Sequence, residues 1–104
     1  MKIKGENKSA RDKSVRDFST TVTINHGIIG IVIRFGRRIL YQFSIGEEEY
    51  ERLSLLFVRR QLVRKKMVEE CNFNFEEYGA ETMERLADSI VYAADECLEI
   101  SDDC

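Results

Sequence analysis

The hydrophobic pattern of this 104-residue chain changes period once, near residue 46, and this change sets the order of its secondary structure. Before residue 46, apolar and β-branched side chains alternate with polar ones, which is the pattern of a half-buried strand. After it, apolar residues recur every three or four positions, which is the pattern of an amphipathic helix. The sequence therefore predicts an α+β fold in which strands precede helices.

Three runs carry the strand pattern, at residues 18–25, 28–35 and 39–45. In the third run, Ile39, Tyr41, Phe43 and Ile45 are expected to face the core. The runs are joined by the short links Asn25-His26-Gly27 and Gly36-Arg37-Arg38, which have the composition of tight turns. Strands joined by such short links pair antiparallel, so we expect a three-stranded antiparallel meander.

Two helices are expected after the meander, giving the order βββαα. The spacing of Ser44 and Glu47 predicts a capping box at the start of the first helix, and Asn74 with Glu77 repeats it before the second. Gly79 is expected to interrupt or delay the second helix. Its apolar positions are the most regular in the chain and run to about residue 101: Met83, Leu86, Ile90, Ala93, Cys97 and Ile100.

Residues 1–17 differ from the rest of the chain in composition. They contain six lysines and arginines but only four apolar residues, which follow neither a helical nor a strand period. A segment of this kind cannot offset the entropy of ordering by burying apolar surface. We therefore predict a disordered, flexible basic tail at 1–17 and a single α+β domain at 18–104.

Charge is divided unequally along the chain, although the formal net charge is only −3. Residues 1–68 contain 15 Lys and Arg against 7 Asp and Glu, whereas residues 69–104 contain 1 and 12. Much of this acidity falls on the second helix, where four carboxylates recur every seven residues: Glu81, Asp88, Asp95 and Asp102. Positions seven apart drift by only ~20° around a helix, so these residues lie on one side, with Glu84 and Glu99 next to them.

Two interpretations of this acidic row remain open. Acidic residues solvate the outer face of a helix well, so the row could serve solubility alone. A face of one sign also attracts a basic surface and can imitate the phosphates of a nucleic acid. The second interpretation predicts a non-enzymatic interaction or inhibitor protein that occludes the basic, possibly nucleic-acid-binding, surface of a partner. Small phage anti-defence proteins and bacterial immunity proteins act in this way, and the comparison rests on size and charge alone.

An alternative function is nucleic-acid binding by the basic part of the chain. Its candidate residues lie in the tail and in the second turn: Lys8, Arg11, Lys13, Arg16, Arg37 and Arg38. They could bind phosphates without regard to base sequence. Tyr41 and Phe43 are expected in the core, however, which leaves few aromatic rings for stacking on bases.

Catalytic and metal-binding motifs are missing from the sequence. The single histidine, His26, lies in a turn without a nearby nucleophile and carboxylate. The cysteines, Cys71, Cys97 and Cys104, form no C-x-x-C pair, and there is no glycine-rich phosphate loop. We therefore expect no enzyme, no catalytic residue, no metal and no cofactor. The same features favour a reducing, cytoplasmic location, no membrane span and either a monomer or a homodimer.

Overall fold

The sheet consists of four antiparallel strands in the order β1-β2-β3-β4, in a computed structural model that describes residues 9–15 and 17–100. The strands are β1 (Ser9–Val15), β2 (Phe18–Asn25), β3 (Ile28–Phe35) and β4 (Arg38–Gly46). Each strand pairs with the next one along the chain. The α+β class and the meander are therefore confirmed, and a fourth strand precedes the three that were predicted.

Among the described residues, four helices follow the sheet, because each of the two predicted helices is divided in two. They are α1 (Glu47–Glu51), α2 (Leu56–Glu69), α3 (Phe75–Tyr78) and α4 (Ala80–Leu98). In the part of the chain that the structure describes, no helix combines the length and apolar character needed to cross a membrane. The chain thus forms a sheet followed by a helical layer.

Strand β1 corrects the prediction that residues 1–17 form a disordered tail. It pairs with β2 from Ser9 opposite Ile24 to Val15 opposite Phe18, and α4 lies against both strands. An edge strand gains backbone hydrogen bonds from its neighbour even when few of its own residues are apolar, so composition did not indicate it. Residues 1–8 and 16 of the predicted tail lie outside the described residues.

The two predicted capping boxes have different outcomes. β4 continues to Gly46, which precedes α1 and makes no side-chain cap, so the Ser44–Glu47 box is wrong. At α3 half of the box is confirmed, because the Glu77 backbone N–H donates to Asn74 Oδ1 at 3.0 Å. The Glu77 carboxylate accepts from Asn74 Nδ2 at 3.3 Å rather than from the Asn74 backbone N–H, which donates to the Tyr41 hydroxyl at 3.3 Å. Gly79, at φ +89°, then separates α3 from α4 as expected.

The hydrophobic core lies between one face of the sheet and the helices. The alternate residues of β2 and β3 supply its sheet side, including Val22, Ile31 and Ile33. A register shift beside Arg34 changes the alternation at the start of β4. Ile39 therefore pairs with Arg34 and is exposed, which corrects its predicted place on the core face.

Candidate binding surfaces

Three exposed carboxylates of α4 are paired with arginines of the same molecule. Glu81, Glu84 and Asp88 have side-chain exposures of 70%, 62% and 53%. The pairs are Arg85–Glu81 at 3.1 Å, Arg64–Glu84 at 3.6 Å and Arg60–Asp88 at 3.0 Å. Two of these arginines belong to α2, which packs beside α4. The outer face of the helical layer therefore carries both signs of charge rather than carboxylates alone.

Asp95 is buried, which corrects its prediction as an exposed contact residue. Its side chain is only 3% exposed and forms an ion pair with Arg59, whose Nη2 donates to Asp95 Oδ2 at 3.1 Å. The Tyr50 hydroxyl donates to the other carboxylate oxygen at 2.7 Å. Because α4 presents Asp95 to α2 and α1 rather than to solvent, this carboxylate is not available to a partner.

Tyr50, Arg59 and Asp95 form a buried polar network that joins three helices. Arg59 Nη1 also donates to the Leu53 carbonyl oxygen at 2.8 Å, which secures the link between α1 and α2. The guanidinium carbon of Arg59 lies 5.9 Å from the centroid of the Tyr50 ring. Burial raises the pKa of Tyr50, and its hydrogen bond to the Asp95 carboxylate raises it further. The network therefore links α1, α2 and α4 through side chains that are buried between them.

Glu99 and Asp102 are the last two residues of the predicted acidic row. Glu99 is exposed and caps α4 in the left-handed conformation, with φ of +59°. Asp102 lies outside the described residues. Within the described residues, the predicted row therefore consists of three exposed carboxylates, a buried one and an exposed cap. We call the three exposed carboxylates and the arginines paired with them the ridge: Glu81, Glu84, Asp88, Arg60, Arg64 and Arg85.

The predicted basic set is distributed over two parts of the sheet. Arg11 and Lys13 lie in β1, at positions opposite Val22 and Thr20. Arg37 and Arg38 are exposed where β3 turns into β4, and neither makes an ion pair with a described residue. Lys8 and Arg16 lie outside the described residues.

An aromatic cluster lies at the same end of the sheet as that turn. Phe18 is the register partner of Phe35, and the Gly36 backbone N–H donates to the Asp17 carbonyl oxygen at 3.1 Å. The ring of Tyr78 completes the cluster, with its centroid 5.1 Å from Phe18 and 6.1 Å from Phe35. This cluster was not predicted from the sequence, although Phe18 and Phe35, at the ends of β2 and β3, indicate part of it.

These rings border a pocket of about 310 Å³. Its described lining consists of three aromatic, two acidic and one hydroxyl residue: Phe18, Phe35, Tyr78, Asp17, Glu77 and Thr82. Glu76 precedes Glu77 in α3, and we call Asp17, Glu76 and Glu77 the acidic end. All three are exposed, and none makes an ion pair with a described residue.

Charges of both signs act on the Tyr78 hydroxyl. Partial burial raises the pKa of Tyr78, and the Glu77 carboxylate raises it further. The Arg38 guanidinium acts in the opposite direction. Glu77 of the acidic end and Arg38 of the β3–β4 turn therefore act on the same hydroxyl with opposite charges.

Outside these surfaces, the described residues include few groups that are suited to metal binding or catalysis. Among residues 9–15 and 17–100, no three His, Cys, Asp or Glu side chains are grouped so that they could hold a metal ion. His26 occupies the β2–β3 turn at φ +53°. Cys71 is a free thiol, and burial raises its pKa, whereas Cys97 is buried in the core.

Comparison of the chain with known proteins found no matching family model, no matching curated protein and no matching solved structure. Its function therefore has to be argued from its own surfaces: the ridge, the acidic end and the arginines of the β3–β4 turn.

Proposed function

We propose that this protein is a non-enzymatic, cytoplasmic binding protein that covers a basic surface of a partner protein with its acidic end. The observation that supports this proposal is the exposure of Asp17, Glu76 and Glu77, none of which has a counter-ion among the described residues. Carboxylates without an internal counter-ion attract basic groups of a partner most strongly. By covering such a surface, the protein would act as an inhibitor of its partner.

The ridge of α4 has a secondary role in this proposal. Its exposed carboxylates, Glu81, Glu84 and Asp88, each have an arginine beside them, so the ridge exerts little net attraction at a distance. Exposed ion pairs contribute only ~0–1 kcal/mol, so a partner can exchange them at little cost. The ridge therefore suits the rim of an interface, and the acidic end suits its centre.

Nucleic-acid binding is the second candidate function, because Arg37 and Arg38 lie beside Phe35, which is 40% exposed. Arginines next to an exposed ring can bind phosphate and stack on a base. The carboxylates of the acidic end lie at the same end of the sheet and repel phosphate. This opposition is why we place nucleic acid second.

The main experiment measures binding of a fluorescent arginine-rich peptide by fluorescence anisotropy at low ionic strength. The test variant is Asp17→Asn with Glu76→Gln, and the control is Glu48→Gln with Glu49→Gln, which removes the same charge from α1. We expect the test variant to weaken binding about tenfold and the control to weaken it less than twofold. Equal weakening by both variants would show attraction by net charge alone and would overturn the proposal.

The same anisotropy measurement with a single-stranded oligonucleotide examines the second candidate. Our proposal predicts no saturable binding by the unmodified protein. Saturable binding that is lost in the Arg37→Gln, Arg38→Gln double variant would instead make the basic turn the functional surface.

A further inference from the structure

We propose that the pocket bordered by Phe18, Phe35 and Tyr78 binds the guanidinium group of an arginine side chain. The inference rests on the proposed function in one respect, because it takes the partner's basic surface as the source of that arginine. It adds the chemical group that the acidic end recognises and the position at which the group is held.

The arrangement of the rings suits a flat cation. Phe18 is the buried ring of the lining, whereas Phe35 is partly exposed. The Phe18 ring stands at 75° to Phe35 and at 84° to Tyr78, so neither of these rings is stacked in parallel on Phe18. The face of an aromatic ring is negative and attracts a cation within ~6 Å of its centroid.

The charged groups of the lining favour the same ligand. Asp17 and Glu77 both border the pocket, and no described lining residue is basic. The Glu77 carboxylate accepts one hydrogen bond, from Asn74 Nδ2 at 3.3 Å, which positions it before a ligand arrives. A ligand with a positive charge can therefore contact aromatic faces and carboxylates together.

Arginine fits this combination better than lysine. Its guanidinium is planar, stacks on aromatic faces and presents a fork of N–H donors to carboxylates, and it is less strongly hydrated than an ammonium group. Arg38 opposes binding, because its own charge already acts on Tyr78. Removing the Arg38 charge should consequently strengthen the binding of an arginine.

The test uses the full chain and three blocked tripeptides, Gly-Arg-Gly, Gly-Lys-Gly and Gly-citrulline-Gly. Citrulline has the shape of arginine without its charge. Binding is followed by NMR shifts of the ring protons of Phe35 and Tyr78. We expect saturable shifts with the arginine peptide and at least tenfold weaker binding of the other two. Equal binding of the lysine or citrulline peptide, or shifts confined to other residues, would overturn the assignment.

Three variants sharpen this test. Phe35→Leu keeps an apolar side chain but removes the ring, and should weaken arginine binding about threefold, the effect of ~0.5–1 kcal/mol for a partly exposed cation–π contact. Phe57→Leu changes an exposed phenylalanine of α2 and should have no effect. Arg38→Gln should strengthen binding about twofold. If Phe35→Leu and Phe57→Leu behave alike, the pocket is not the site.

The two proposals can fail separately. Loss of arginine-rich peptide binding in the Asp17→Asn, Glu76→Gln variant, without tripeptide shifts at Phe35, would retain the proposed function and reject the pocket. Tripeptide shifts at Phe35, with equal effects of the test and control variants on the longer peptide, would retain the pocket and reject the proposed function.

Discussion

Two neighbouring arginines of α2 make the same kind of contact with α4 in very different surroundings. Arg59 pairs with Asp95 at 3.1 Å, and Arg60 pairs with Asp88 at 3.0 Å. The Arg59 side chain is 2% exposed, whereas the Arg60 side chain is 39% exposed. The distances are nearly equal, but the pairs differ in their access to water, and only the Arg59 pair is also a hydrogen bond.

That difference assigns the two pairs different roles. A buried charge has lost its hydration, and it is tolerated only when ion pairing and hydrogen bonds replace the lost water. Arg59 and Asp95 meet this condition through each other, the Leu53 carbonyl oxygen and the Tyr50 hydroxyl. Arg60 and Asp88 keep much of their water and need no such network. The buried pair therefore fixes the packing of the helices, whereas the exposed pair remains exchangeable.

The largest expected effect comes from breaking the buried pair with Asp95→Ala. The variant leaves the Arg59 charge buried without its carboxylate, so the free energy of unfolding should fall by ~3–5 kcal/mol. Chemical denaturation with urea measures this change. Asp88→Ala is the matched control and should lower stability by no more than ~1 kcal/mol. Similar losses in both variants would refute the distinction between the two pairs.

A smaller effect is expected from Tyr50→Phe, which keeps the ring but removes the donor to Asp95. The lost hydrogen bond to a buried carboxylate should cost ~1–3 kcal/mol at pH 7, measured by urea denaturation. Tyr92→Phe is the control and should lower stability less than Tyr50→Phe, because Tyr92 is 52% exposed. A Tyr50→Phe variant as stable as the unmodified protein would show that the hydroxyl does not stabilise the network.

The same tyrosine predicts a pH dependence. The pKa of Tyr50 is raised in the folded protein by burial and by the Asp95 carboxylate, above its ordinary value of 10.0. Its contribution to stability is therefore complete below pH ~10 and declines as the pH rises further, because the unfolded chain releases this proton first. Between pH 9 and 11, the free energy of unfolding should fall more steeply with pH for the unmodified protein than for Tyr50→Phe. Urea denaturation at each pH measures this free energy. The same pH dependence of the free energy of unfolding in both proteins would contradict the raised pKa of Tyr50.

Local patterns in the sequence predicted most of the sheet and the longest helix. The bounds of β2 and β3 follow from strict alternation and two turns, and α4 follows from its regular apolar spacing. β1 could not be predicted in this way, because its stability comes from pairing with β2 and packing under α4. The break between α1 and α2 is accompanied by contacts between distant residues, since Arg59 donates both to the Leu53 carbonyl oxygen and to Asp95 of α4.

The candidate sites were harder to predict for the same reason. A seven-residue spacing shows that Asp88 and Asp95 share one side of α4, but not that α2 covers one of them. A signal was nevertheless present, because Arg59 lies on the apolar side of α2, four residues before Val63, and Asp95 follows Ala93 and Ala94 in α4. A lone charge on each of two apolar faces is typical of a buried ion pair. The pocket at Phe35 combines four separate segments and left no comparable signal.

The smallest expected effect concerns the exposed pair, and it measures directly whether that pair is exchangeable. A double-mutant cycle of Arg60→Ala and Asp88→Ala, followed by urea denaturation, should give a coupling energy of ~0.2–1 kcal/mol. Because salt screens exposed charges, the coupling should decrease further between 0.05 and 0.5 M sodium chloride, roughly as the Debye length shortens. A coupling energy above ~2 kcal/mol that does not change with salt concentration would mean that Arg60 and Asp88 behave like the buried pair. The ridge would then be a fixed part of the fold and could not serve as the rim of an interface.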